Sequence, residues 1–308
     1  MKFENIRVFN FEGALHGMRN PKESHHLSDS EFGIDEMCNN ESDWDVAEDW
    51  ALWMGIDPTD NYDDFDRIKE KASEWLISNG ILKEGAGDTF EYAYIGPKDM
   101  KLIQTLVKGG SEHRKFLRQI MLTIDITAPL YLWKELDTYK VGTTANSTST
   151  MHKITSKPIT LDCFEIDDYD EQAIYDIDLS YLNKKFDGIK AEVQSYINDN
   201  NGFASTVIDY LEGLRQKYLE TKDKKYWKEL VRWLPESWLQ TRTVTMNYEN
   251  VFNMVNQRGN HKLNEWSGND DEALENFIAW AKSLPYANEL IFNQTAEPFI
   301  LFEKHNNL

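Results

Sequence analysis

The chain has 308 residues, 41% of them hydrophobic and 28% charged, with a formal net charge of -20. That length and balance describe a globular chain with a sizeable core, whether one large domain or two ordinary ones. The negative field repels nucleic-acid phosphates and anionic membranes, so direct nucleic-acid binding and membrane association are not expected.

A lysine cluster at Lys222, Lys224, Lys225 and Lys228 is diluted by Glu220, Asp223 and Glu229. The two cysteines, Cys38 and Cys163, lack CxxC partners. This excludes zinc ribbons and redox pairs and fits a reducing cytoplasm, the expected location. The opening MKFENIRVFNFEG has no apolar run like a signal peptide. Nor is there an apolar stretch of about 18 residues to span a membrane.

Residues 2–9 alternate polar and apolar side chains and predict a strand; 11–19 predict a helix ended by Asn20-Pro21. Asp, Ser and Glu dominate residues 23–49, a surface segment with short helical turns expected near Trp44 and Trp50. His25-His26 lies in it, either as a metal pair or as solvated loop. An amphipathic helix is expected over 61–81, a turn at Gly85–Asp88 and a strand over 89–95. Pro97 starts a helix closed by Gly109-Gly110. Residues 119–127 read as a strand, and Ala128-Pro129 begins the next helix. The hydroxyl-rich 142–155 is expected to be non-helical, and 156–180 an acidic loop. Helices follow at roughly 186–200, 203–219 and 223–233, then a strand at 240–246 and helices at 248–257 and 270–283. The tail, 288–308, is expected to form an edge strand or pack on a neighbour. Helices surrounding a few central strands make the class α/β (α+β).

The nucleotide fingerprints GxGxxG and GxxxxGK[ST] are absent, as are GxSxG and HExxH. Three polar constellations remain. Gly110 to Arg118 places His113, Arg114, Lys115 and Arg118 before a buried strand, a cradle for a diphosphate or simply a polar connection. Tyr139 to His152 offers hydroxyls and one amide, able to wrap a phosphate or pyrimidine edge or to stand solvated. In the third, Asn247 is a candidate N-cap. Asn253 and Gln257, spaced i,i+4, share a face of that helix, with Val251, Met254 and Val255 toward the core. Arg258 and His261 stand at its C-terminal end, where a cation suits the dipole. The bland alternative is a capped amphipathic helix.

In order and separation these constellations resemble those of the flavin-dependent thymidylate synthases (the ThyX family) over residues 97–285, with a weaker match at 2–21. Alignment on Ala128-Pro129 puts His113 on the family's flavin-contacting His, and Lys115 and Arg118 on two further flavin positions. The family's Asn-x5-Asn-x4-Arg pattern is matched by Asn247, Asn253 and Arg258, with His261 equivalent to a flavin-reaching His. Of the signature RHRxxSxNExSxRY, Asn146 and Ser149 match and Thr144 replaces Ser. The Arg-His-Arg triplet has become Tyr139-Lys140-Val141, Glu has become Ser147, and Arg-Tyr has become Met151-His152. Another substrate-binding Arg aligns with Val231, beside Arg232. Lys140 offers a point charge where arginines would bind phosphate bidentately.

The resemblance implies one ThyX-like domain over 1–308, a central mixed sheet flanked by helices, an acidic insertion at 22–95 and a C-terminal tail at 288–308. It implies FAD held by His113, Lys115, Arg118, Asn247, Asn253 and His261. A pyrimidine nucleotide, dUMP or a relative, would be held by Lys140, Thr144, Asn146, Ser149 and Arg258. Arg258 would be the catalytic group, polarising the pyrimidine, with a reduced folate as methylene donor. A homotetramer is the implied assembly. The alternative is a catalytically inactive relative that binds nucleotide or acts in assembly.

Overall fold

The computed structural model describes residues 1–35, 90–167, 169, 202–268 and 275–293. The expected helices at 61–81 and 186–200, the turns near Trp44, Trp50 and Gly85, and the tail from 294 onward lie outside the described residues.

In chain order the described elements are β1 (Lys2–Phe9), α1 (Phe11–Arg19), β2 (Glu31–Asp35), β3 (Phe90–Tyr94), α2 (Pro97–Lys108), β4 (Met121–Pro129), α3 (Leu130–Leu136), β5 (Thr144–Ser147), α4 (Thr150–Lys153), α5 (Phe203–Thr221), α6 (Lys224–Arg232), β6 (Leu239–Asn247), α7 (Tyr248–Arg258), α8 (Asn264–Ser267), α9 (Phe277–Lys282) and α10 (Ala287–Leu290). Four strands pair in the order β1-β4-β6-β5. The Thr127 and Thr241 hydroxyls meet at 2.7 Å, Thr243 donates to Asp125, and the Leu130 N–H donates to the Trp238 carbonyl. Partner numbers fall along β6 as they rise along β4, which fixes an antiparallel pair. The sheet is antiparallel, where a mixed one was expected. β2 and β3 form a separate antiparallel pair, Glu31 opposite Tyr94 and Asp35 opposite Phe90. No helix among the described residues is long and apolar enough to cross a membrane.

Three expectations are corrected. Ala128-Pro129 ends β4 rather than opening a helix, because the strand pairing carries through to Pro129, whose extended ψ of 156° serves as the N-cap of α3. The stretch 142–155 is not wholly irregular: the Ser149 side chain accepts from the His152 N–H and caps the single turn α4. Residues 31–35 form a strand because β3 is there to pair with, a partner that local polarity does not reveal. Of the tail only residues up to 293 are described, and Ala287–Leu290 form the single turn α10.

The chain divides into two compact units. The first comprises Met1–Glu4, Asp125–Lys140 and Ala145–Val244. Its apolar cluster gathers Ile154, Ile159, Phe164, Leu211 and Leu230, with Val207, Ile208, Trp227 and Trp238 packed on it. Full burial of such side chains contributes about 1.5–3 kcal/mol each. Arg215 and Glu212 bracket this cluster. The Glu212 carboxylate accepts from Arg215 Nε and Nη2 at 2.7 Å, from the Ile159 N–H at 2.8 Å and from Gln216 at 2.7 Å. Arg215 also donates to the Thr155 carbonyl at 3.2 Å, so one ion pair ties the 155–159 segment to α5. In the same unit the Arg242 guanidinium lies 4.2 Å over the Trp133 ring and donates to Asp137 at 2.8 Å and to the Gln240 side chain at 2.9 Å.

The second unit comprises Asn5–Ile124, Val141–Thr144 and Thr245–Leu308. The alternation in β4 buries Leu122 and Ile124. Phe11 of α1 meets Tyr248 and Tyr286 edge-on, each at 5.8 Å. Asp99, fully buried in α2, accepts from Arg19 Nε at 2.6 Å and from the Ser28 and Ser30 hydroxyls at 2.5 and 2.6 Å. Arg19 spends its remaining donors on the Ser24 and Leu27 carbonyls, both at 3.2 Å. Asp29 caps α2 from outside, accepting from the Lys98 and Asp99 N–H groups at 2.8 and 3.0 Å. A Cβ at Gly96 would collide with the Asp29 backbone, so the residue before Pro97 must be glycine.

Two consequences are measurable. The Glu212 carboxyl is held down to about 2, first by the Arg215 hydrogen bonds, against a free value of 4.5. A depressed folded-state value gives stability that is complete above about pH 4.5 and lost as pH falls toward 2. Urea midpoints of Glu212→Gln are therefore expected to vary less than those of the parent chain across that window. Asp99→Ala strands Arg19 without its partner and should cost about 3–5 kcal/mol in urea unfolding.

Candidate functional site

The second unit brings two of the three polar constellations together. α7 starts where β6 stops, because Asn247 takes up extended φ and ψ of -121° and 168° and caps the helix. Asn247 Oδ1 accepts from the Asn250 N–H at 3.0 Å, and Asn250 Oδ1 accepts from the Asn247 N–H at 3.2 Å. This reciprocal capping box satisfies two donors that would otherwise be orphaned. Asn250 Nδ2 also donates to the Val141 carbonyl at 2.7 Å, holding residues 141–144 against the helix start. Gly142 adopts φ of +80°, and a Cβ there would lie 2.9 Å from Asn247 Nδ2, so the backbone passes directly over the capping amides.

The turn Lys115–Arg118 packs on α7. Its anchor is Glu249, in the first turn of the helix and only 8% exposed. Glu249 accepts from Arg118 Nε through Oε2 and from Arg118 Nη2 through Oε1 at 3.3 Å. Arg114 Nε also donates to Glu249 Oε1 at 3.3 Å, while Arg114 Nη2 donates to Asn253 Oδ1 at 3.4 Å. The Arg114 guanidinium lies 4.2 Å over the Phe252 ring. Hydrogen bonding to Glu249 raises the Arg118 pKa above its already high ordinary value. The Tyr248 N–H donates to the Ile120 carbonyl, and the buried Tyr248 hydroxyl donates to the Pro285 carbonyl at 2.9 Å. Burial pushes that hydroxyl's pKa up, so it serves as a neutral donor.

At the other end of α7, Arg258 lies 5.0 Å over the buried Trp266 ring and His261 meets the same ring edge-on at 6.3 Å. His261 Nδ1 accepts from the Leu263 N–H at 3.2 Å. A backbone N–H only donates, so the neutral imidazole carries its proton on Nε2.

Of the residues expected at the cofactor, Arg118 and Asn253 are thus joined through Glu249 and Arg114, Asn247 caps the same helix, and Arg258 and His261 share Trp266. His113 and Lys115 are exposed on the turn, with His113 packed against the Gly109 backbone. Thr144 is exposed at the start of β5. Lys140, Asn146 and Ser149 belong to the first unit. There Lys140 and Asn146 are exposed, and Ser149 Oγ lies 2.9 Å from His152 Nδ1, engaged in capping α4. Arg114, part of the candidate diphosphate cradle, received no role from the resemblance, and sequence reasoning passed over Glu249 and Asn250. Asn250 was recoverable, since Asn247-x-x-Asn250 has capping-box spacing. Glu249 was recoverable only as an acid favoured in a first turn; its two arginine partners lie far away in sequence.

The arrangement can present the Asn253 amide N–H donors on α7, the Lys115 ammonium and the His113 imidazole to a flat, anionic ligand rich in acceptors. Among the described residues no cluster of three or more His, Cys, Asp or Glu side chains is placed to hold a metal ion. Glu249→Gln removes the charge that two arginines share. Thermal or urea unfolding should register a loss of about 1–3 kcal/mol, whereas Lys115→Gln, on the exposed side of the same turn, should change stability by less than about 0.5 kcal/mol.

No family model matches this sequence, and no curated protein matches it. Solved structures do. A flavin-dependent thymidylate synthase from Helicobacter pylori, complexed with FAD and dUMP, is 17% identical, with 64% of this chain and 83% of that chain covered and a TM-score of 0.38. A second structure of thymidylate synthase X from Helicobacter pylori, also with FAD and dUMP, is 14% identical, with 94% and 97% covered and a TM-score of 0.46. A UMP/dUMP methylase from Streptomyces cacaoi, bound with 5-Br dUMP, is 12% identical, with 86% and 96% covered and a TM-score of 0.40.

Proposed function

We propose that this chain is a divergent flavin-dependent thymidylate synthase-like protein. It binds FAD and acts on the C5 position of a pyrimidine nucleotide, dUMP or a relative, by methylation and reduction. The observation that carries this reading is the joining of two segments whose contacts span 131 and 139 residues of sequence. The turn bearing His113, Lys115 and Arg118 and the helix bearing Asn247 and Asn253 are linked through Arg118–Glu249 and Arg114–Asn253. These are the two segments that the sequence resemblance assigns to the same cofactor.

The residues present fit a flavin. Amide N–H groups of Asn247 and Asn253 suit the carbonyl and imine acceptors of the isoalloxazine edge, and the exposed Lys115 ammonium and His113 imidazole suit a diphosphate. FAD, when bound, supplies the redox chemistry, and a reduced folate would supply the one-carbon unit. The protein's part is to orient the rings and to place Arg258, held over Trp266, as the group that polarises the pyrimidine. Lys140, Thr144, Asn146 and Ser149 are the proposed phosphate and ribose contacts, and a homotetramer the proposed assembly.

One observation favours a second reading, nucleotide binding without turnover. Val141, where the resemblance puts a phosphate-binding Arg, is 89% exposed, and its carbonyl is taken by Asn250. No guanidinium stands at that position to hold a phosphate bidentately.

The test is the visible spectrum of purified protein, taken before and after addition of FAD and desalting. Retained flavin absorbance that is perturbed by dUMP is the expected result. Binding with no release of thymidylate in the presence of methylene-folate and a reductant selects the second reading. No retained flavin, and no shift of the thermal midpoint with FAD or dUMP, overturns both.

A further inference from the structure

Arg114 has no place in the resemblance, yet it makes the one side-chain contact from the 113–118 turn that reaches Asn253 directly among the described residues. The direction of that contact is set by chemistry. A guanidinium has five N–H donors and no acceptor, so the atom of Asn253 facing Arg114 Nη2 at 3.4 Å must be Oδ1. The Nδ2 amino group is then on the other branch of the amide, where it has no hydrogen-bond partner among the described residues. Asn247 obeys the same logic. Its Oδ1 faces the Asn250 backbone N–H at 3.0 Å, which can only donate, and Nδ2 is again left over, on the side where Gly142 passes. Both amides turn Oδ1 to a protein donor, but Asn247 is buried under the Gly142 backbone, and Asn253 is the more open of the two.

We propose that Arg114 is a positioning residue that fixes the Asn253 amide with its N–H donors presented, so that this part of α7 selects ligand edges built of acceptors. This rests on the reading of α7 as a flavin or nucleotide site and deepens it. The ligand class is one with a carbonyl oxygen, imine nitrogen or phosphate oxygen facing Asn253. A ligand presenting an amino group there would set donor against donor. Arg114 holds its own orientation from two other sides, by the Glu249 ion pair and by stacking on Phe252, so its fork is fixed before ligand arrives.

The decisive variant is Asn253→Asp. It preserves shape and strengthens the pairing with Arg114, but turns the presented donor into an acceptor. Expected results are a thermal midpoint equal to or above that of the parent chain and FAD retention weakened about tenfold or more, as loss of a buried hydrogen bond against a like dipole implies. Arg114→Met frees the amide to flip and is expected to weaken FAD binding by an intermediate factor. A merely structural role would instead move stability and leave the affinity of the folded protein unchanged. Parental FAD affinity in Asn253→Asp overturns the proposal. If the parent chain itself binds neither FAD nor dUMP, the functional reading fails, and Arg114 is then judged by stability alone. A urea double-mutant cycle of Arg114→Met and Asn253→Ala that shows coupling sustains the fixed amide, and strictly additive losses overturn it.

Discussion

Two arginines converge on one carboxylate in the second unit, and the candidate site depends on it. Glu249 follows the strand β6 by two residues and occupies the first turn of α7, where a negative charge is favoured by the helix dipole. It is largely buried, so its charge is costly to leave unpaired, and it is satisfied from a segment more than 130 residues earlier by Arg114 and Arg118. That pairing sets the register between the 113–118 turn and the helix. Arg114 can then reach Asn253, and the capping amides of Asn247 and Asn250 can hold the 141–144 backbone. Removing the glutamate would leave two cations facing a helix N-terminus, which repels them.

A second buried pair, Arg19 with Asp99, does comparable work around α2. The two differ in purpose. Asp99 is wholly enclosed and every donor around it is a fixed part of the fold: Arg19, Ser28 and Ser30. Such a closed network specifies one arrangement of the 20–30 segment and offers nothing to a ligand. The Glu249 network is open at its edge. Arg118 is half exposed, and Asn253, which Arg114 joins to the network, keeps its amino group unspent. Structural polarity and candidate binding polarity are therefore distinguished by where the unspent hydrogen-bonding capacity lies, not by burial alone.

The end of α7 departs from a simple picture of ligand-facing cations. Arg258 stacks on Trp266, and His261 turns Nδ1 to the Leu263 N–H. Local structure thus fixes their orientation, as preorganisation requires. In the first unit, Ser149 caps a turn, an occupation that a hydroxyl count cannot foresee, since capping and ligand contact ask for the same atom.

Periodicity and punctuation determined much of this protein. Alternation gave β1, β4 and β6 to within two residues, and Pro97 with the Gly109-Gly110 pair bounded α2. Asn247 announced the start of α7, because a capping amide acts on groups within three residues of itself. The polar inventory of the site was also legible, as residue types in order. Only the tertiary structure decided what those residues do. The strand β2 needed β3 to pair with, and Pro129 stayed in a strand because β6 lay alongside. Arg114 and Glu249 became partners only when folding brought the turn to the helix. Local signals travel a few residues along the chain, whereas an ion pair or a strand ladder is fixed by distance in space. The direction of an amide, which decides what ligand edge it can read, is set by the donor that happens to face it.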